Sequence, residues 1–461
     1  MFLKKYVGDR AFYKTALTVA LPIMLQNLIT NLVGMLDNIM VGSLGTEQMS
    51  GVSIVNQILF IFTLAIFGGL SGIGIFTAQY FGKRDEDGVR YTLRLKAILA
   101  VLIFAVGALV LVLFQEPLIN LFLHDGEYAG DLALTMVYAK EYLFVMLFGL
   151  LPFAFTQVFA DTMRQTGDTL TPMIVGFIAV GTNCLCNYLL IFPHPLVGFP
   201  GWGVTGAAVA TVFARFVECT ILIAFVYTHK RRFPYIRGAF RSFYIPGEAL
   251  GQMTRKGLPI LFNEILWSGG MTALSIAYSL HGLDVVAGYS ISSTISNLFA
   301  MAFLTMGSAI GIIAGNHLGA GDGDKAYDAA RKLTAFSFAI SVVVGLVMFA
   351  FGGEITRFYN TSEDSIRLAR YFIRVSACAL PLQAISNASY FTLRSGGKTV
   401  ITSLFDSGSV WLIVVPAAYL LYYVGHLNIY WVYPIVMSLE LIKDVLGLTL
   451  VHKKVWIRTL V

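Results

Sequence analysis

Apolar residues run through this chain in long blocks, and the polar positions that interrupt them recur at nearly regular intervals. A bilayer core takes about 20 apolar residues per helix. Twelve blocks reach that length, over 15–41, 51–80, 93–114, 133–158, 170–192, 202–228, 258–280, 285–315, 332–352, 368–392, 400–423 and 428–451. Numbered as spans 1 to 12, they predict an all-α integral membrane protein of twelve transmembrane helices. Spans 1, 2 and 8 exceed the minimum, which predicts tilt or bending.

The pattern also repeats. Sliding the chain by 237 residues lays LPIMLQNLI (21–29) over LPILFNEIL (258–266) and Gly82 over Gly319, and over 51–82 eleven of 32 positions are identical. Two copies of one unit are therefore expected: an N-lobe over 1–228, a cytoplasmic connection over 229–257 and a C-lobe over 258–461. With six spans each, both copies enter the membrane from the same side, which predicts a pseudo-two-fold axis along the membrane normal and a transporter architecture. LPFAFTQVFADTMRQTGDT (151–169) echoes LPLQAISNASYFTLRSGGKT (380–399) with one residue of slippage. The glycines of span 2 (Gly68, Gly69, Gly72, Gly74) and of span 8 (Gly307, Gly311, Gly315) read as sites of close helix approach.

Composition agrees with the pattern. The chain is 57% hydrophobic and 13% charged, and its mean hydropathy is +0.74, far from a soluble domain, where about a quarter of residues are charged. The N-terminus shows no removable signal peptide. A net charge of +6 could mean an acidic partner, but Lys and Arg concentrate in alternate loops. The N-terminus, loop 2–3 (Lys83, Arg84, Arg90, Arg94, Lys96), loop 6–7 with seven, loop 8–9 and the C-terminus carry them, and only loop 9–10, with Arg357 and Arg367, breaks the rule. Both termini are thus expected in the cytoplasm of a multi-pass plasma-membrane protein, with no nucleic-acid partner. Cys184, Cys186, Cys219 and Cys378 lie in apolar runs and read as buried free thiols.

Chemistry narrows to a few polar groups inside spans. Asp37 lies a few residues before the outer end of span 1, and Leu274 takes its register in the second copy. A carboxylate there should be protonated, paired or ion-bound, and is a functional candidate by default. Asn183 and Asn187 in span 5 share one helical face at i, i+4 and a similar depth. One carboxylate with amide and backbone oxygens suits Na+ as well as a proton, although asparagines can also cement helices by hydrogen bonds alone. Glu264, the acid of the second copy, sits two turns inside span 7 where the first copy has Asn27. Arg215 with Glu218, Lys140 with Glu141 and Glu440 with Lys443 are each expected to neutralise one another. No phosphate-binding G-x-x-x-x-G-K-[ST] or H-E-x-x-H motif is present, so neither an enzyme nor an ATP-driven pump is expected, and no cofactor.

LPIMLQNLITNLVGMLDNIMVGSLG followed by GVSIVNQ, AQYFGKRDEDGVR closing span 2, RQTGDTLTPM entering span 5 and the paired LPILFNEILW together resemble the MATE (multidrug and toxic compound extrusion) family. The resemblance implies a twelve-helix, two-lobe exporter that exchanges cationic or amphiphilic drugs for Na+ or H+. It implies cation coupling at Asp37 with Asn183 and Asn187 beside it, which would be the ligands if the ion is Na+, and a C-lobe substrate or cation contact at Glu264. Some relatives have an aspartate in span 10, where this chain has only amides such as Gln383 and Asn387. A monomer in the lipid bilayer is expected, with small amphiphilic molecules as its substrates. The alternative is a flippase for a lipid-linked saccharide, which shares the two-lobe plan and would need basic residues in the cavity to hold pyrophosphate.

Overall fold

The computed structural model describes residues 6–122, 131–193, 200–359 and 362–461, and no strand occurs among them. The helices are α1 (Arg10–Gly42), α2 (Thr46–Lys83), α3 (Glu86–Leu113), α4 (Gln115–Asn120), α5 (Leu132–Gln165), α6 (Leu170–Ile191), α7 (Gly203–Thr228), α8 (Gly247–Ser279), α9 (Leu283–Gly319), α10 (Gly323–Ile355), α11 (Glu363–Ser395), α12 (Thr399–Ser403), α13 (Val415–Tyr423), α14 (Ile429–Ser438) and α15 (Glu440–His452). Among the described residues, nine stretches are long and apolar enough to cross a membrane. The long helices α1 and α11 and the pair α14–α15 complete twelve spans; α12 and α13 form one, and α4 is a short helix between spans. Polar substitution explains why α11 falls outside the nine. It buries Ser376, Ser386, Ser389 and Arg394 against other helices instead of presenting a uniformly apolar surface.

Spans 11 and 12 depart from straight helices. Between α12 and α13 the chain runs in π geometry over Leu404–Gly408 and Val410–Val414, a form that often marks functional positions. In α14, Pro434 lacks the N–H that would reach the carbonyl of Tyr430. The Tyr371 hydroxyl donates to that carbonyl instead, at 2.6 Å.

Two compact units make up the chain. One comprises residues 1–24, 75–85 and 252–461, the other 25–74 and 86–251. Helices α1 and α2 are therefore each shared between units. In the first unit, Ala16, Val19, Ala20 and Ile23 of α1 pack with Met306, Ala309 and Ile310 of α9, Leu333 of α10 and Trp456. The end of α2 also belongs there. Its buried Gln79 donates to the carbonyl of Ser395 at 2.9 Å and accepts from the N–H of Leu460 at 2.7 Å, which pins the last residues of the chain.

The register that superposes Gly82 on Gly319 has a spatial counterpart within this unit. A β-carbon on Gly82 would stand 1.9 Å from the carbonyl oxygen of Asn316, and one on Gly319 would stand 1.8 Å from that of Gln79. Asn316 is itself 237 residues from Gln79, so the crossing of α2 on α9 is reciprocal. Only glycine allows backbone to touch backbone here. Gly319→Leu, or Gly82→Leu, is expected to lower stability by about 1–3 kcal/mol through forced separation of the two helices. A melting temperature in detergent equal to that of the parent protein would contradict it.

The second unit carries the loop after α7. Far from being a bare linker, its turn at Pro234–Ile236 buries Tyr235 and Ile236. Arg94 of α3 donates to the carbonyls of Ala239 (2.5 Å) and Tyr244 (2.7 Å), and Arg90 to that of Tyr235 (3.2 Å). Burial pushes the Tyr235 phenol well above its usual range.

Four sequence expectations are corrected. Lys96 is no loop residue: it is fully buried on α3. Lys140 pairs with Glu116 of α4, not with Glu141, and its ammonium holds the Glu116 carboxyl below the usual range. Cys378 is exposed, and the other three cysteines, likewise free, are half-buried. Arg215 and Glu218 face one another electrostatically but form no ion pair within 4 Å among the described residues. The i, i+3 pair Glu440–Lys443 does form, at 3.3 Å.

Candidate functional site

Helix α6 is apolar along most of its length, and its two asparagines are buried, at 6% and 1% exposure. A buried amide must find partners, because leaving a donor unmet costs about 1–3 kcal/mol. Both find them on Asp37 of α1. Asn187 donates to Asp37 Oδ1 at 2.5 Å. With the Asn183 amide turned so that its oxygen accepts from the Thr211 hydroxyl (3.3 Å), its nitrogen lies 3.0 and 3.3 Å from the two Asp37 oxygens. The carboxylate thus takes hydrogen bonds from two amides one helical turn apart. Asn187 Oδ1 is buried beside it without a partner. A carboxylate and an orphaned amide oxygen together can accept a proton or ligate a small hard cation, which prefers oxygen ligands.

The acidic group of the C-terminal copy is organised differently. Glu264 on α8 is half-buried and interacts electrostatically with Arg394 and with Asp406. Asp406 lies in the π stretch, where Asn263 donates to its Oδ2 at 3.0 Å and uses its own oxygen to accept from the N–H of Ser407 at 3.3 Å. Lys443 of α15 bridges Asp406 (3.4 Å) and Glu440 (3.3 Å). Next to it on α15, the buried Asp444 accepts from Ser386 at 2.8 Å. Gln383 and Asn387 of α11 make no hydrogen bond to Glu264 among the described residues. Asn387 packs on Gly307, and its buried oxygen lacks a partner.

The MatE family model matches residues 22–189 and 259–420, two stretches whose starts are 237 residues apart. The chain belongs to the MatE family. It is 27% identical over 411 residues to the probable multidrug resistance protein NorM of Thermotoga maritima, covering 88% of this chain and 85% of that one. To the multidrug resistance protein PmpM of Pseudomonas aeruginosa it is 28% identical over 424 residues, covering 90% and 85%. Its fold matches that of a solved outward-facing multidrug resistance MATE family transporter of the MOP superfamily, at TM-score 0.83, 20% identity and 98% of both chains. A MOP superfamily transporter from Pyrococcus furiosus with a binding pocket of reverse polarity matches at TM-score 0.82, 21% identity and 98% of both chains.

The grouping of Asp37 with Asn183 and Asn187 expected from the sequence is present in the structure, and further acids of the same kind lie inside the helices. Asp406 and Asp444 lie inside spans 11 and 12, and the rule that singled out Asp37 applies equally to them. Asp161 lies just past the predicted end of span 4, where that rule does not reach, and on α5 it pairs with the fully buried Lys96 at 2.7 Å. In this MatE chain the two arginines matched by the internal echo, Arg164 and Arg394, each interact with an acid of their own copy, Glu218 and Glu264.

Proposed function

We propose that this chain is a cation-coupled antiporter that exports amphiphilic or cationic small molecules, drugs among them, by alternating access. The observation that carries the reading is the Asp37 carboxylate held by the Asn183 and Asn187 amides inside a span. Such a group changes its charge when it gains or loses a cation, and the amides that donate to it must rearrange each time. Loading on one side of the membrane and release on the other then couples ion flow to substrate flow. Na+ or H+ serves as the coupling ion, with Asp37, Asn183 and Asn187 as the ligands if it is Na+. The naming of several relatives as multidrug resistance proteins supports the substrate class.

The remaining assignments belong to the same reading. The lobes are 1–228 and 258–461 joined by the cytoplasmic segment 229–257, the protein is a monomer in the plasma membrane, and both termini are cytoplasmic. Glu264, with Gln383 and Asn387 along α11, is the candidate C-lobe contact for substrate or cation. A flippase for a pyrophosphate-linked lipid is less favoured because the relatives are named as multidrug resistance proteins, and because two of the basic groups inside the spans are already held by acids, Lys96 by Asp161 and Lys443 by Asp406 and Glu440.

The test is transport of ethidium by purified protein in liposomes, with Na+ and pH gradients imposed one at a time. One of the two gradients is expected to drive ethidium uphill. Movement under neither, with ethidium still bound, would defeat the coupled-antiport reading.

A further inference from the structure

A polar path continues from the Asp37 site through the same unit. The Thr211 hydroxyl that meets Asn183 also bonds the Tyr142 hydroxyl, and Tyr142 interacts electrostatically with both Asp37 and Arg215. Tyr142 is buried and lies 3.5 Å from Asn56 Oδ1. Arg215, one turn along α7 from Thr211, stands over the Phe153 ring at 5.1 Å with its Nη1 buried and unpartnered. Three residues further, Glu218 faces Arg215 and, from α5, Arg164. Arg164 gives one nitrogen to Gln26 Oε1 at 2.7 Å, while its Nε is buried without a partner. One turn back on α5, Asp161 and Lys96 close the series.

The slack in the middle of this path is the informative feature. Two buried guanidinium nitrogens lack acceptors. Of the two carboxylates that act on Arg164, Asp161 is paired with Lys96, and Glu218, which also acts on Arg215, makes no hydrogen bond or ion pair within 4 Å among the described residues. A pair that served only to cement α5 to α7 is expected to close into direct hydrogen bonds, because a buried donor left unmet costs about 1–3 kcal/mol. A carboxylate that alternates between a charged and a neutral state needs such slack. The neighbourhood also selects the ion. Lys96, Arg164 and Arg215 stand against Asp161 and Glu218, three bases to two acids, so a metal cation passing here meets net positive charge. A proton does not travel as a free charge through the cluster, since it arrives by neutralising a carboxylate.

We propose that Glu218 is a second proton-carrying group of the transport cycle, placed between Asp37 and the side predicted to be cytoplasmic, and that the coupling ion is therefore H+. The inference rests on Asp37 being the coupling acid. A proton taken up by the Glu218 carboxylate leaves it for cytoplasmic water, and the carboxylate then faces Arg164 and Arg215 again. Arg215 from its own helix and Arg164 from α5 are the charged groups that face it, with Asp161, Lys96 and Tyr142 one step away.

The full-length protein in liposomes tests this, with ethidium as substrate and Glu218→Gln, Glu218→Asp and Asp37→Asn compared. Glu218→Gln is expected to lower uphill ethidium transport under a pH gradient at least about tenfold, within the range of site-to-site coupling, and to flatten its pH profile. Glu218→Asp is expected to recover most of both. In the parent protein a Na+ gradient alone should drive nothing. The proposal is overturned if Glu218→Gln keeps the parent rate and pH profile, if Na+ alone drives transport, or if both Glu218 variants lose ethidium binding and thermal stability together. Loss of transport in Asp37→Asn with none in Glu218→Gln rejects Glu218 alone, whereas parent-like transport in Asp37→Asn rejects the coupling reading beneath it.

Discussion

Asp37→Asn is expected to abolish uphill transport while leaving the protein folded and able to bind substrate. The substituted amide keeps the size of the side chain, and one of its polar atoms can still accept from Asn187, which now stands 2.5 Å from Asp37 Oδ1. What it loses is the ability to change charge. In one-for-one exchange, a tenfold ion gradient is worth about 1.4 kcal/mol and sustains about a tenfold substrate gradient. For an uncharged substrate the membrane potential adds about 2.3 kcal/mol per 100 mV. In the Asp37→Asn protein that ratio should fall to unity, because occupancy of the site no longer reports the ion. Ethidium accumulation that tracks the imposed gradient as in the parent would sink the role assigned to Asp37.

Much of this architecture is legible in the sequence, and the limits of legibility have a common cause. Hydrophobic length gives the spans and the 237-residue register gives the copies, since both are local or translational properties of the chain. That register even identifies Gly82 and Gly319, whose close contacts turn out to be reciprocal. Asp37, Asn183 and Asn187 could be grouped because helical periodicity and matching depth are also readable in one dimension. Pairing between distant residues is not readable in this way. Lys96 looks like one more cytoplasmic loop cation beside Arg94 until α5 brings Asp161 against it. Lys140 has a neighbour of opposite sign in Glu141, yet α4 offers Glu116 in better position. Asp406 stands inside a predicted span as Asp37 does, but its partners are set only by the π geometry of its stretch and by Asn263, 143 residues away in the chain. The long loop after α7 reads as a linker because its basic residues dominate its composition, although Tyr235 and Ile236 bury themselves and Arg90 and Arg94 hold its carbonyls.

The Lys96–Asp161 pair carries the largest expected effect on stability. Lys96 has no exposed surface, its ammonium is 2.7 Å from Asp161 Oδ2, and the Thr162 hydroxyl at 3.3 Å is its other partner. Lys96→Met keeps the length of the side chain and removes the charge, which strands a carboxylate inside the unit with Gln165, at 3.4 Å, as its remaining donor among the described residues. Breaking a buried pair from one side typically destabilises by about 3–5 kcal/mol, whereas replacing both partners with apolar groups of similar volume is often close to neutral. Lys96→Met alone should therefore lower the melting temperature in detergent sharply, and Lys96→Met with Asp161→Leu should regain most of the loss. The difference between the double variant and the sum of the singles isolates the pair itself. A single variant as stable as the parent would show that Lys96 is solvated and not paired. A double variant no better than Lys96→Met would show that the pair's value lies in hydrogen bonds that Leu cannot replace, such as the one Asp161 takes from Gln165.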